Sequence, residues 1–230
     1  MKYKNIEQGK FISRPNRFIA HVKIDGAEHV VHVKNTGRCR ELLQPGATVY
    51  LEKSDNPARK TQYDLVSVKK GQRIVNMDSQ LPNGLVEEWL RESDAAREIF
   101  SDITFIKREK TYGKSRFDLY VESEDRKIFI EVKGVTLEND NVVSFPDAPT
   151  ERGIKHLNEL VCALDDGYEA YVFFVIQMEG VDYFTPAWDK HKAFGDALVI
   201  AHKNGVKVLA YDCKVSEDEV RINENVRVQL

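Results

Sequence analysis

Tyr171-Val172-Phe173-Phe174-Val175-Ile176 is a run of six apolar residues with no polar interruption. A strand with one wet face alternates apolar and polar side chains. A run with no wet face suits a strand covered on both sides. Helical patterns stand before and after it. Thr150 caps a segment running through Leu164, with Ile154, Leu157, Leu160 and Val161 at helical spacing. Asp189 to Asn204 is a second helix, stopped by Gly205, and Val206 to Tyr211 is a further buried strand. Strand, helix and strand in succession are α/β logic with right-handed crossovers.

Upstream of this unit lies a hairpin that carries chemistry. Phe117 to Val121 and Lys127 to Val132 read as strands joined by the polar Glu124-Asp125-Arg126-Lys127. Alternation sends Ile128, Ile130 and Val132 to one face and Phe129, Glu131 and Lys133 to the other. Asp118 lies within reach on the paired strand. Two carboxylates suit a hard cation such as Mg²⁺. A lysine beside it can orient a water or neutralise phosphate charge. Glu-x-Lys alone is a common triplet; the β-rich setting and the basic Lys114-Ser115-Arg116 before Asp118 give it weight. Further strands are expected near 103–110 and 142–145.

The first 76 residues have a different texture. Candidate strands are 18–24, 29–34, 48–53, 63–68 and 72–76, punctuated by Gly26, Asn35-Thr36-Gly37, Pro45-Gly46, Asp55-Asn56-Pro57 and Lys70-Gly71. Five short strands with a helical turn near Arg38 to Leu43 suggest a small closed barrel of the OB type. Leu81-Pro82-Asn83-Gly84 marks the expected boundary. Asn83 would cap a helix to Glu92, with Leu85, Val86, Trp89 and Leu90 inward, and a second helix would span 94–100. Residues 1–80 are thus expected as an all-β barrel and 81–230 as an α/β domain.

Charge follows the same division. Residues 1–80 hold 15 Lys/Arg against 8 Asp/Glu, a net of +7, within a chain of net −3. A basic third on an acidic body is expected of a protein that touches phosphate. No run of about 18 apolar residues suggests a membrane span, and no signal-peptide core follows the first residues. Cys39, Cys162 and Cys213 are widely separated and imply neither zinc nor disulfides, so a reducing cytoplasm is the expected compartment.

Several segments together resemble the sugar fermentation stimulation protein family (SfsA) of bacteria and archaea. They are Asn16-Arg17-Phe18, Asn35-Thr36-Gly37-Arg38, Glu41 to Gly46, Arg116-Phe117-Asp118, Glu131-Val132-Lys133, Phe145-Pro146-Asp147-Ala148-Pro149-Thr150-Glu151-Arg152-Gly153 and Lys155-His156-Leu157. The resemblance implies an OB-like barrel joined to a restriction-endonuclease-like domain with a mixed central sheet, of the PD-(D/E)-x-K superfamily, so that the chain is α/β (α+β overall). It implies DNA as partner and a regulatory role in sugar, notably maltose, metabolism. Asp118, Glu131 and Lys133 would be the core of the superfamily motif, with Phe117 where a proline often stands. Asp118 and Glu131 would share one Mg²⁺ (or Mn²⁺), with the Val132 carbonyl as a third ligand. Many nucleases of that superfamily dimerise, which makes a homodimer an expectation by analogy.

Other candidates surround this motif. An acidic residue of the preceding helix, Glu88 ahead of Glu87, would complete the metal site. Arg152, Lys155 and His156, at spacings of three and four, share one side of a helix and would meet the scissile phosphate or its neighbours, as would Arg116. In the barrel, Arg14, Arg17, Lys34, Arg38 and Arg40 are candidate phosphate contacts, and Phe11, Phe18 and Tyr50 candidate stacking residues. No base-reading helix is evident, so binding with little sequence preference is expected. Three functions fit these residues: a Mg²⁺-dependent deoxyribonuclease, a non-catalytic DNA-binding regulator, and an interaction module that uses no nucleic acid.

Overall fold

The computed structural model describes residues 1–230. Its first strands are β1 (Ile6–Ser13), β2 (Ile19–Ile24), β3 (Ala27–Val33), β4 (Thr48–Lys53), β5 (Tyr63–Lys70) and β6 (Arg73–Asn76). β1 pairs antiparallel with β2 and β4, β4 pairs with β5, and a short parallel pairing of β5 with β3 closes the ring. Closure of five strands removes the free edges, and β6 hangs on β5 outside the ring. Val22, Val31, Val49, Leu51 and Leu65 are fully buried within it.

Two sequence expectations are corrected here. From sequence, no strand is expected before Phe18, yet Ile6–Ser13 is the strand that joins the two halves of the barrel, and the expected strand at 72–76 lies outside the ring. Gly9 hides β1, because glycine weakens a strand pattern. It is there for close approach: a Cβ on Gly9 would lie 2.5 Å from Val22 Cγ1 and 3.0 Å from Leu51 Cδ1. The helical turn expected at 38–43 is present as a single turn, closed by Leu43 N–H donating to the Cys39 carbonyl at 2.9 Å. It drops Cys39, Leu42 and Leu43 into the core.

The second half runs α1 (Leu81–Glu92), α2 (Asp94–Phe100), β7 (Ile103–Tyr112), β8 (Ser115–Ser123), β9 (Arg126–Val135), β10 (Leu137–Asn139), β11 (Val142–Phe145), α3 (Glu151–Asp165), β12 (Glu169–Ile176), β13 (Tyr183–Pro186), α4 (Trp188–Lys203), β14 (Lys207–Val215) and β15 (Val220–Asn225). The large sheet has the order β15-β14-β12-β9-β8-β7. Its middle three strands are parallel and its flanks antiparallel, so the sheet is mixed. The apolar run is β12, at the centre and buried from Ala170 to Ile176. Trp89 and Phe100 of α1 and α2 cover one face against Ile130, Phe173 and Tyr211. Leu157 and Leu160 of α3, with Phe194 and Leu198 of α4, cover the other against Phe129, Val172 and Phe174.

α1 begins two residues earlier than its expected cap. Gln80 takes the N-cap position and Pro82 sits in the first turn, where its fixed φ suits a helix start. Asn83 is therefore inside the helix, its side chain released for other use. The barrel and the sheet domain share one apolar core that runs from Val22 and Leu51 to Val143 and Phe174. A buried polar seam crosses it. Gln177 Nε2 donates to Asn76 Oδ1 at 2.7 Å and to the Asp78 carbonyl at 3.0 Å, while Asn76 N–H donates to the Gln177 carbonyl at 2.9 Å.

Candidate metal-binding and nucleic-acid site

β8 and β9 stay in register from Ser123↔Arg126 to Leu119↔Ile130, and Asp118 and Glu131 are the next residue on each strand. There Asp118 Oδ2 accepts the Val132 N–H at 2.8 Å, and Oδ1 accepts from Asn83 Nδ2 at 2.9 Å. Alternation along β9 turns Ile128, Ile130 and Val132 toward α1 and Glu131 toward α3. Thr150 caps α3, its Oγ1 accepting from Gly153 N–H at 3.0 Å. Gly153 lets α3 settle against α4, since a Cβ there would stand 3.1 Å from the Phe194 ring. That seating brings His156, 5% exposed, onto Glu131.

His156 Nδ1 hydrogen-bonds Glu131 Oε1, and Lys133 Nζ reaches the same oxygen at 2.5 Å. Arg152 Nε donates to His156 Nε2 at 3.3 Å. A guanidinium only donates, so this bond assigns the ring proton to Nδ1, which donates to Glu131. Glu131 Oε2 is buried and has no partner. Burial pushes the Asp118 carboxyl above the usual carboxylate range, and the Glu131 charge adds to it. At Glu131 burial pulls upward too, but His156 and Lys133 outweigh it and hold that group below its ordinary value.

Two carboxylates that repel one another, one with a spare buried oxygen, fit a bound cation. No three Asp, Glu, His or Cys side chains, here or elsewhere in the molecule, are arranged as a ready-made metal cage. The donor set therefore fits a hard ion that keeps several of its waters, as Mg²⁺ does, more than one that needs a complete protein cage.

The helix glutamates lie elsewhere. Glu88 faces away from Asp118: its carboxylate meets the Met1 amino group at 3.0 Å, in a hollow with Glu219 and Arg221. Glu87 pairs with Arg91 at 2.8 Å and stands 3.7 Å from Arg108. The α1 residue that reaches the site is Asn83. From sequence it reads as a cap, and only the earlier helix start frees it for Asp118. His156 likewise reads as a phosphate contact but turns inward. Spacing of four from Arg152 foretells their contact; the rotation of α3 that buries the histidine depends on tertiary packing.

The basic candidates divide by what they already hold. Arg14 is committed to the fold, donating to the carbonyls of Asn35, Gly37 and Arg38 and to that of Arg17 at 2.5–2.9 Å. Lys34 is enclosed by Asp78, Glu52 and Asp64 at 3.4–3.7 Å. Burial lowers its pKa, yet these three carboxylates outweigh that and raise it. Both are half-buried, and Arg14 lines a cleft of the barrel while its guanidinium is held by those carbonyls. Arg17, Arg38 and Arg40 are exposed and line the same cleft, of about 430 Å³, with Phe11 and Ile12. Phe18 is 49% exposed beneath the Arg17 guanidinium, whereas Phe11 and Tyr50 are core residues at 4%. A second cleft, between barrel and sheet, shares Thr36 and Gly37 with the first and is lined also by Gly134, Ser144 and Asp147. Arg116, Arg152 and Lys155 are exposed around a third hollow against His156.

Comparison with known proteins covers the whole chain. A family model described as the SfsA N-terminal OB domain matches residues 12–77, and one described as the sugar fermentation stimulation protein RE domain matches residues 80–219. The chain is 58% identical to the sugar fermentation stimulation protein homolog of Ruminiclostridium cellulolyticum over 230 residues, the full length of both. It is 57% identical to that of Desulfitobacterium hafniense, covering all of this chain and 99% of the relative. Among solved structures, Pyrococcus furiosus SfsA in complex with Ca²⁺ superposes with a TM-score of 0.88 at 27% identity, over 100% of this chain and 98% of that one.

Proposed function

The chain belongs to the sugar fermentation stimulation protein family, and on that premise we propose that it binds DNA with little sequence preference and carries a divalent-cation site of the nuclease type. The observation that carries this reading is the group Asp118, Glu131 and Lys133, gathered at the parting of two strands, with the buried Glu131 Oε2 unpartnered. That the Pyrococcus furiosus protein was solved in complex with Ca²⁺ supports a divalent ion in a relative of the same fold.

Asp118 and Glu131 would hold the ion, Mg²⁺ or Mn²⁺. When bound, such an ion lowers the pKa of its water and neutralises charge on a phosphoryl oxygen. The protein's own groups set the stage for that chemistry. Asn83 and the Val132 N–H fix the Asp118 carboxylate. His156 fixes Glu131. Lys133, 15% exposed, presents its ammonium at the mouth of the site, where it can orient a water and offset charge on a phosphate. Arg17, Arg38 and Arg40 of the barrel cleft would contact the backbone phosphates, and Arg116, Arg152 and Lys155 would offer further cations to phosphate near the carboxylates. Such contacts make affinity fall steeply with salt.

The test is a time course of plasmid, duplex and single-stranded DNA with Mg²⁺, Mn²⁺ or EDTA, beside Asp118→Ala and Lys133→Ala. Metal-dependent nicking lost in both variants, with Lys133→Ala still retarding DNA, is the expected result. DNA retarded but uncut in every lane would leave a non-catalytic DNA-binding regulator. No retardation at low salt would remove nucleic acid from the reading altogether.

A further inference from the structure

A hollow of about 480 Å³ lies between the β7–β8 turn and the first turn of α3, with no apolar residue in its lining. Lys114 and Arg116 stand on one side, Arg152 and Lys155 on the other, and Glu151 is the single acidic group. Ser115 lies at its floor, only 7% exposed, and its Oγ has no hydrogen-bond partner. Lys155 Nζ donates to the Lys114 carbonyl at 3.0 Å, which ties the two walls together. The counter-ions in place are weak. Arg116 meets Glu109 at 3.5 Å in an exposed pair that exchanges for a better anion at little cost, and Lys155 stands 3.7 Å from the largely buried Glu159.

From this we infer that the hollow is a receptor for a phosphate monoester, the terminal phosphate of a DNA strand. Four cations, a buried hydroxyl and the positive end of a fifteen-residue helix suit a small dianion. A terminal phosphate carries close to two charges at neutral pH, while a backbone diester carries one. With no apolar side chain in the lining and four cations around it, the group the hollow matches best is the phosphate itself. His156 forms one wall of the hollow and, through Nδ1, holds Glu131. A phosphate held here therefore sits next to the carboxylate pair, and the strand end is set against the cation site. The inference rests on the DNA reading above and specifies its substrate: strands that carry a phosphorylated end.

The test measures binding of one short fluorescent oligonucleotide, in EDTA at fixed ionic strength, in three forms: 5′-phosphate, 3′-phosphate and hydroxyl at both ends. One phosphorylated form should bind about tenfold more tightly than the hydroxyl form, as expected of one or two added charge-assisted hydrogen bonds. Lys114→Ala, a change at an exposed position, and Ser115→Ala should each shrink that ratio, with thermal melts confirming the fold. Equal binding of all three forms would overturn the inference while leaving DNA binding intact. A preference that survives both substitutions would overturn it too. Competition by inorganic phosphate over sulfate, with no effect of strand ends, would reassign the hollow to a small phosphorylated ligand and overturn the strand-end reading. Failure of every oligonucleotide to bind would remove the DNA reading and this one with it.

Discussion

At the scale of single residues, Asp118 works against the stability of the fold that holds it. Its carboxyl is pushed upward by burial first and by Glu131 second, so the ionised form is disfavoured in the folded protein. For an acid raised in this way the cost is present above the folded pKa and disappears as pH falls through it. Asp118→Asn should therefore raise the Tm of the metal-free protein at neutral pH by about 2–4 °C, the shift that about 1 kcal/mol produces in a chain of this size. Asn83 can turn its amide to meet the new side chain, so both hydrogen bonds can be kept. The two melting curves should converge in acid, and added Mg²⁺ should stabilise the parent protein and not the variant. A variant that melts lower than its parent at neutral pH would contradict this account. The positions of Asp118, Glu131 and Lys133 are legible from sequence because strand alternation and one hairpin place them without help. Asn83 and the inward turn of His156 are not, because each depends on where a helix starts or how it is rotated, and both follow from packing.

Among the elements, β1 is the one that sequence conceals and the barrel most needs. Ile6-Glu7-Gln8-Gly9-Lys10 shows little alternation, and its glycine argues against a strand when read alone. In the fold that glycine sits between Val22 and Leu51, where a methyl group has no room. Gly9→Ala should cost about 1–3 kcal/mol through overpacking, read as a lower denaturation midpoint at unchanged slope. The same change at Gly71, a turn with φ +61° and open space around it, strains only the backbone and should cost about 1–2 kcal/mol, from the left-handed conformation alone. A Gly9→Ala protein as stable as its parent would mean that β1 is free to move outward and does not fix the barrel's width. The central strand β12 and the helices α2 and α3 follow their sequence patterns closely, because each carries its periodicity or its cap within its own residues. The short β10, β13 and β15 have no such signature and exist by pairing with neighbours.

For the whole molecule, the decisive fact is that barrel and sheet domain are built around one core and a buried amide seam. Gln177→Leu would remove two buried hydrogen bonds at a site 1% exposed, leaving Asn76 Oδ1 only the Asp78 N–H and the Asp78 carbonyl only the Leu81 N–H, each at 3.2 Å, a loss of about 1–3 kcal/mol. Because both halves share that seam, the parent protein should unfold in a single calorimetric transition whose calorimetric and van't Hoff enthalpies agree. Two resolved transitions would show that the halves are independent. The two-part organisation is visible in the sequence as a change of texture near Leu81; the fusion is not, since it rests on Gln177 meeting Asn76 across a hundred residues. Its consequence reaches the proposed substrate. If the halves unfold and move as one unit, the separation between the arginine cleft of the barrel and the Asp118–Glu131 carboxylates is a constant of the molecule. Under the DNA reading, a strand that touched both would be gauged as well as gripped, and the protein would be a ruler whose graduation is the length of nucleic acid that fits between its two ends.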